Sequence, residues 1–303
     1  MRLAKFSLLL AVVLAACSPK TYALRQVAEA ISATGDSSAL ARDDDPDFVR
    51  EAVPFALKTM ESLADKLPDH LRLRLALARG FTQYGYAFVQ QDADEMPDPD
   101  RAKMLRDRAA RLYLRARAYG IEGLRMARGV SDEQLRGKEQ VRVQALAKMS
   151  REDVPLLYWT SASWAGAISQ RKTDLELVAD VPVVAAILDR ALALDEAFDL
   201  GALHEFAIAF DPARPEGTTA QKQRAHFDRA RELQKGKKIS ALVTYAESVA
   251  GPAQDRRQFE ALLNEALRFD VNQPQALDER LENKIAQRRA RFLLMHESDI
   301  LSD

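Results

Sequence analysis

His70, His204, His226 and His296 are the four histidines of this 303-residue chain, and any metal or acid–base chemistry would begin with them. No two stand at ligand spacing on one helix face, and no His-Glu-x-x-His is present. Glu205 follows His204, but adjacent helical residues point about 100° apart, so the two side chains do not converge. A structural histidine with a hydrogen-bonded partner is the expectation. Gly35-Asp36-Ser37-Ser38 has the look of a hydrolase serine turn without the strand such a turn needs. There is no Gly-x-Ser-x-Gly, phosphate loop or dinucleotide fingerprint. With no nucleophile–base pair in view, the reading is of a protein that is not an enzyme, with no cofactor and no metal.

Aromatic residues leave two readings open. Phe81, Tyr84 and Phe88 share one helix face, with Gln83, Ala87 and Gln90 on the adjacent one. Trp159 and Trp164 stand among Thr160, Ser161, Ala162, Ser163, Ala165 and Gly166. On one reading these rings fill the core between paired helices. On the other, Gln83, Tyr84, Tyr86, Gln90, Tyr158, Trp159, Trp164 and His204 line a groove or pore. Tyr and Trp need polar partners when buried, and an apolar cavity with a few placed amides and hydroxyls is the usual small-ligand site. Arg101, Arg108, Arg111 and Arg115 recur along one helix and Arg288, Arg289 and Arg291 cluster near the end, with Asp107, Glu282 and Glu297 nearby. A solvated, salt-bridged face is the expectation for both.

The one cysteine, Cys17, can form neither an internal disulfide nor a cysteine-rich zinc site. It ends a segment with Arg2 and Lys5 at its start, an apolar run from Phe6 to Leu14, and small residues after it. That run is too short for a bilayer core needing about 20 helical residues. Leu14-Ala15-Ala16-Cys17 resembles the lipobox of bacterial lipoproteins. It implies a signal peptide over 1–16 and a lipid anchor on Cys17. Ser18, in place of the Asp of inner-membrane retention, favours the periplasmic face of the outer membrane. Removing 1–16 takes the formal charge from −1 to −3, a near-neutral balance with no pull toward nucleic acid.

These residues need helices to hold them. Apolar residues make up 47 %, and Gly and Pro number 12 each, few for this length. Ser131…Gln134, Ser150…Asp153 and Thr173…Glu176 have capping-box spacing. Asp45-Pro46 and Asp98-Pro99 open helices; Pro68-Asp69, Gly129, Gly236 and Gly251-Pro252 close them. Val183–Leu194 and Phe259–Leu267 each gather their apolar residues on one face. No period-2 strand is found, and the count is roughly twelve helices joined by short loops. A loose repeat lies beneath: Ala109-Tyr113-Ala116, Val184-Leu188-Ala191, Phe227-Ala230 and Phe259-Leu263-Ala266 follow the small–large–Ala pattern of a tetratricopeptide (TPR) second helix. The fold expected is all-α, a TPR-like antiparallel helical array or α-solenoid. Its parts are the signal over 1–16, the lipidated Cys17 with a short helix and linker over 17–45, and the helical domain over 46–303.

Four stretches carry a resemblance: Asp43-Asp44-Asp45-Pro46-Asp47-Phe48-Val49-Arg50-Glu51-Ala52-Val53-Pro54-Phe55-Ala56-Leu57-Lys58, Gly80-Phe81-Thr82-Gln83-Tyr84-Gly85-Tyr86-Ala87-Phe88-Val89-Gln90, Leu157-Tyr158-Trp159-Thr160-Ser161-Ala162-Ser163-Trp164 and Gly201-Ala202-Leu203-His204-Glu205-Phe206. With the lipobox they resemble the T-component lipoproteins of TRAP (tripartite ATP-independent periplasmic) transporters, the TatT family. The resemblance implies a TPR-like fold that can trimerise, work beside a TRAP-type periplasmic solute-binding protein, and a groove or pore suited to a hydrophobic ligand. The generic TPR first-helix Trp and Gly positions are poorly kept. A second reading is a general envelope scaffold of the TPR type that binds polypeptides. Replacing Cys17 by Ser is expected to move the protein out of the membrane pellet; retention there would place the anchor elsewhere.

Overall fold

Every element in the computed structural model, which describes residues 19–32 and 39–302, is helical. Cys17 with its signal and the Gly35–Ser38 turn lie outside the described residues. Helix α1 spans Pro19–Ser32, α2 Pro46–Lys66 and α3 Leu71–Tyr84. A π-helical turn, Gly85–Gln90, joins α3 to α4 (Gln91–Asp94). Then come α5 (Pro99–Arg128), α6 (Asp132–Arg136), α7 (Glu139–Ala147), α8 (Val154–Gln170), α9 (Leu175–Val178), α10 (Val181–Asp195), α11 (Phe198–Phe210) and α12 (Ala220–Gln234). After α13 (Ser240–Tyr245) a second π-helical turn covers Ala246–Ala250, followed by α14 (Arg256–Arg268), α15 (Arg280–Met295) and α16 (Glu297–Ile300). Of these sixteen segments among the described residues, α4, α6, α9 and α16 are single turns, and the rest are the dozen that periodicity counts.

Local chemistry explains the boundaries. Asp45 accepts from the N–H groups of Asp47 and Phe48 with Pro46 behind it, and Asp98 does the same for α5 ahead of Pro99. Each carboxylate satisfies orphan donors where a proline costs nothing. Gly129, at φ 68°, ends the 30-residue α5 in the left-handed conformation that suits glycine. Capping boxes form at Ser131–Gln134 and Ser150–Asp153. At the third expected box the cap is Asp174 rather than Thr173: its carboxylate accepts from Leu177 N–H at 3.3 Å. Asp is the stronger N-cap of the two, and it sets the register one residue later.

Each helix packs chiefly on its neighbours in sequence. Helix α5 lies against α3 and α8, α8 against α10, α10 against α11, α11 against α12 and α13, then α13 on α14 and α14 on α15. The residues of the loose repeat, from Ala109 to Ala266, are all interior. Small residues set the spacing: a Cβ at Gly166 on α8 would stand 2.7 Å from the Tyr113 ring of α5.

The succession returns to its start. Helix α15 packs on α2, with Leu281 and Ile285 against the core that α2 and α3 share. Leu281 N–H donates to the Ala41 carbonyl at 3.0 Å. Arg288 Nη2 reaches Asp92 at 2.8 Å and Glu95 at 2.7 Å, and Arg50 bonds the same Asp92 carboxylate with both terminal nitrogens. Arg289, itself buried, pairs with Asp94 at 3.2 Å and with Glu247. This corrects the expected solvated face: Arg291 is exposed, but Arg288 and Arg289 form a seam to residues almost two hundred positions away. Sequence spacing detects partners on the same helix, not partners that tertiary folding delivers. Arg115 likewise pairs with the buried Glu61, while Arg101, Arg108 and Arg111 stay exposed.

Arg289→Ala leaves Asp94 and Glu247 without their cation and is expected to cost about 3 kcal/mol. Arg291→Ala, at an exposed position, is expected to change stability by less than about 0.5 kcal/mol. Equal melting temperatures for the two variants would show the seam to be dispensable.

Candidate functional site: an aromatic and acidic inner face

Phe81, Tyr84 and Phe88 are all buried in the core shared with α2 and α5. The wide turn beyond α3 presents Tyr86 differently. Its ring keeps 46 % of its surface, yet burial pushes its phenol well above the usual range, with the Glu247 charge adding to the effect. Glu247 lies on the second π-helical turn, and its charge acts on Tyr86 of the first. Such turns recur at functional sites.

Tyr158 on α8 packs against the core around Leu157 and Trp164. Its hydroxyl is pushed far above its ordinary value by burial and then by Asp199, Glu205 and Glu282. The Tyr158 ring meets Trp159 edge-on at 4.7 Å, Phe198 at 5.4 Å and Phe206 at 6.3 Å between centroids. These four rings form an apolar wall from α8 and α11, with the Arg79 guanidinium 5.8 Å from the Trp159 centroid.

Acids stand close enough to act on Tyr158. Glu205 accepts from the Ser240 hydroxyl at 2.6 Å, the Thr244 hydroxyl at 3.1 Å and the Gln234 amide at 3.3 Å. Burial, and then Glu282, push its carboxyl up to about 7. Near neutrality it stands on both sides of its titration, able to donate as an acid or accept as a carboxylate. Lys238 joins Asp199 at 2.8 Å, Glu282 at 3.0 Å and Glu279 at 3.4 Å. Burial works against this cation, but Glu282, Asp199 and Glu279 outweigh it. Glu279 is itself pushed up to about 7, mainly by burial. Glu282 adds to the upward push on Tyr86, Tyr158 and Glu205 alike.

Of the residues singled out in the sequence, Tyr86, Tyr158 and Trp159 belong to this face. Gln83 is exposed and accepts from Arg79 Nε at 3.3 Å. Gln90 accepts from the Tyr113 hydroxyl at 2.6 Å. Tyr84 lies in the core against Phe88. Trp164 is fully buried, donating from Nε1 to Asp180 at 3.0 Å with the Arg117 guanidinium 3.8 Å from its ring. His204 diverges from Glu205, meeting Glu196 at 3.2 Å and His226 at 2.9 Å instead. Glu205, Glu247, Glu282 and Lys238 escaped sequence reasoning. Glu205 had a signal, as a lone acid within the apolar stretch Ala202–Phe210; the others had none. Two clefts are lined by residues other than these rings: one of about 550 Å³ including Arg231, Gln234, Lys238, Glu265 and Arg268, and one of about 410 Å³ at the seam including Asp94, Glu247, Arg289 and Phe292. Among the described residues no group of three or more His, Cys, Asp or Glu could hold a metal, and no helix is long and apolar enough to cross a membrane.

The Glu205 shift fixes a pH dependence. Its folded pKa of about 7 lies above the ordinary 4.5, so between those values the folded chain holds a proton that the unfolded chain has lost. Its contribution to stability therefore falls as pH rises through that window. Glu205→Gln is expected to stabilise the protein by on the order of 1–3 kcal/mol at pH 8, with the gain shrinking toward pH 4.5. Urea unfolding across that range measures it; a gain that does not vary with pH would contradict the assignment.

The family model for the TRAP transporter T-component matches residues 42–301. An uncharacterized protein of Treponema pallidum (strain Nichols) is 30 % identical over 267 residues, covering 86 % of this chain and 82 % of that protein. The chain, whose succession of helices returns on itself beside this aromatic and acidic face, belongs to the TRAP transporter T-component family.

Proposed function

We propose that this protein is a non-catalytic, lipid-anchored T-component that docks a periplasmic TRAP-type solute-binding protein and binds, or passes on, a hydrophobic small ligand through a groove or pore. The observation that carries the reading is the inner face: the Tyr158 ring meets Trp159, Phe198 and Phe206, and Glu205, whose charge acts on Tyr158, is held by the Ser240 and Thr244 hydroxyls. An apolar wall with few, placed polar groups is the form of a small-ligand site. The ligand's apolar body lies against Tyr158, Phe198 and Phe206, and a hydrogen-bonding end faces Glu205. In this reading the helices form a TPR-like array, the buried repeat residues holding successive pairs together. Cys17 fixes the chain to the periplasmic face of the outer membrane, and copies assemble as a trimer.

Two measurements test it together. Pull-down with the anchored protein is expected to recover a TRAP-type solute-binding protein, and native mass spectrometry to detect an apolar ligand that Tyr158→Ala loses while the melting temperature stays within a few degrees. Recovery of barrel-assembly or peptidoglycan factors instead, with no small ligand bound, would favour the general envelope scaffold. Loss of fold in Tyr158→Ala would make that ring a core residue.

A further inference from the structure

His204 on α11 and His226 on α12 meet outside the acidic cluster, with Nδ1 2.9 Å from Nδ1. Their ring centroids are 5.1 Å apart. Ordinary C–N bond lengths put each ring nitrogen about 1.1 Å from its centroid, so the two nitrogens point almost straight at each other. A metal about 2.0–2.1 Å from both nitrogens would have to sit well off both lone-pair axes. A shared proton sits on the line between them and suits the contact.

The outer ring nitrogens decide where protons go. His204 Nε2 is 3.2 Å from Glu196, which holds a proton there and leaves Nδ1 as acceptor. His226 therefore donates from Nδ1, and its Nε2 faces the buried Asp211 at 3.7 Å. One further proton fits on that nitrogen. A second has no place, because it would set N–H against N–H across 2.9 Å. The closed pair takes up at most one extra proton, whereas two separated imidazoles take up two.

We propose that His204 and His226 form a single-proton clasp that ties α11 to α12 at neutral pH and releases in acid, loosening the inner wall that α11 carries. Linkage gives the sign: the open form binds more protons, so opening is favoured as pH falls, by up to about tenfold per pH unit for each extra proton. The surroundings agree on balance. Burial lowers both pKa values; Arg229 adds to this at His204, and Lys222 and Arg214 at His226. Glu196 and Asp211 oppose it. Glu205, the next residue of α11, has the opposite pH dependence, since its proton is taken up in the folded state. The backbone offers a place to give way: Asp199, Leu200 and Gly201, at φ 45°, 53° and 86°, are successive left-handed residues at the start of α11, and the first two are strained there. Phe198 and Phe206, which meet the Tyr158 ring, flank this segment and the clasp.

The test is hydrogen–deuterium exchange between pH 7.5 and 5.5, corrected for intrinsic rate, on peptides from α11 and α12, for the wild type and His226→Asn. Asparagine does not titrate, and its amide can turn either its N–H or its oxygen toward His204 Nδ1, so the closed variant still accepts a proton on His204 and opening takes up none. Comparing the two proteins cancels the contribution of Glu205. Opening of α11 and α12 is expected to rise about tenfold more in the wild type than in His226→Asn over the acid part of the range. An identical pH response in both would overturn the clasp. If the variant does not fold, ¹⁵N ring spectra of the wild type decide. One imidazole of the pair is expected to stay neutral down to the pH at which α11 begins to exchange. Two independent, complete titrations with α11 still protected would overturn it, as would one equivalent of Zn²⁺ bound in calorimetry and shifting both Nδ1 resonances.

Discussion

Arg288 and Arg289 connect the end of the chain to its beginning, and the inner face depends on that connection. An open succession of helix pairs would expose Tyr86 to solvent on its free side. The seam instead brings the Glu247 and Arg289 charges close enough to act on its phenol. The joint is mostly ionic. It combines charge-assisted hydrogen bonds with a smaller apolar contact through Leu281 and Ile285. Partly buried pairs of this kind give directional specificity and weaken with salt less than exposed ones do.

Charge on the inner face is unevenly compensated. Lys238 is shared by Asp199, Glu279 and Glu282, while Glu205 has only neutral donors. Burial, and then the Glu282 charge, raise its carboxyl to about 7 against the pull of the two hydroxyls. A carboxyl held by hydroxyls and an amide keeps its proton more readily than one facing an arginine. The carboxyl that acts on Tyr158 therefore alternates between neutral and anionic within the ordinary pH range.

Much of the fold was legible before any coordinates. Asp45, Asp98, Ser131 and Ser150 cap helices where their spacing says they should, because capping is decided within four residues of chain. The small–large–Ala positions are interior for a similarly local reason: helical periodicity sets one face inward. Two things were not legible. The seam joins α4 to α15 across almost the whole sequence, and no spacing rule reaches that far. The inner face was legible only in part, because Tyr86 and Tyr158 need acids brought by α11, the second π-helical turn and α15, while Trp164, of the same residue type as Trp159, is held in the core by Asp180 and Arg117. A tryptophan's address follows from which neighbour meets its N–H, and that neighbour is sixteen residues away.

Tyr113 is wedged between Gly85, whose Cβ would lie 3.4 Å from its ring, and Gly166, whose Cβ would lie 2.7 Å away. Three positions on three separate elements thus share one volume. Over evolutionary drift Gly166 and Tyr113 form a single unit of inheritance: the glycine cannot grow unless the tyrosine gives way, and a smaller side chain at 113 also deprives Gln90 of its hydroxyl partner. Chains that diverge at this point should do so at several positions at once or not at all.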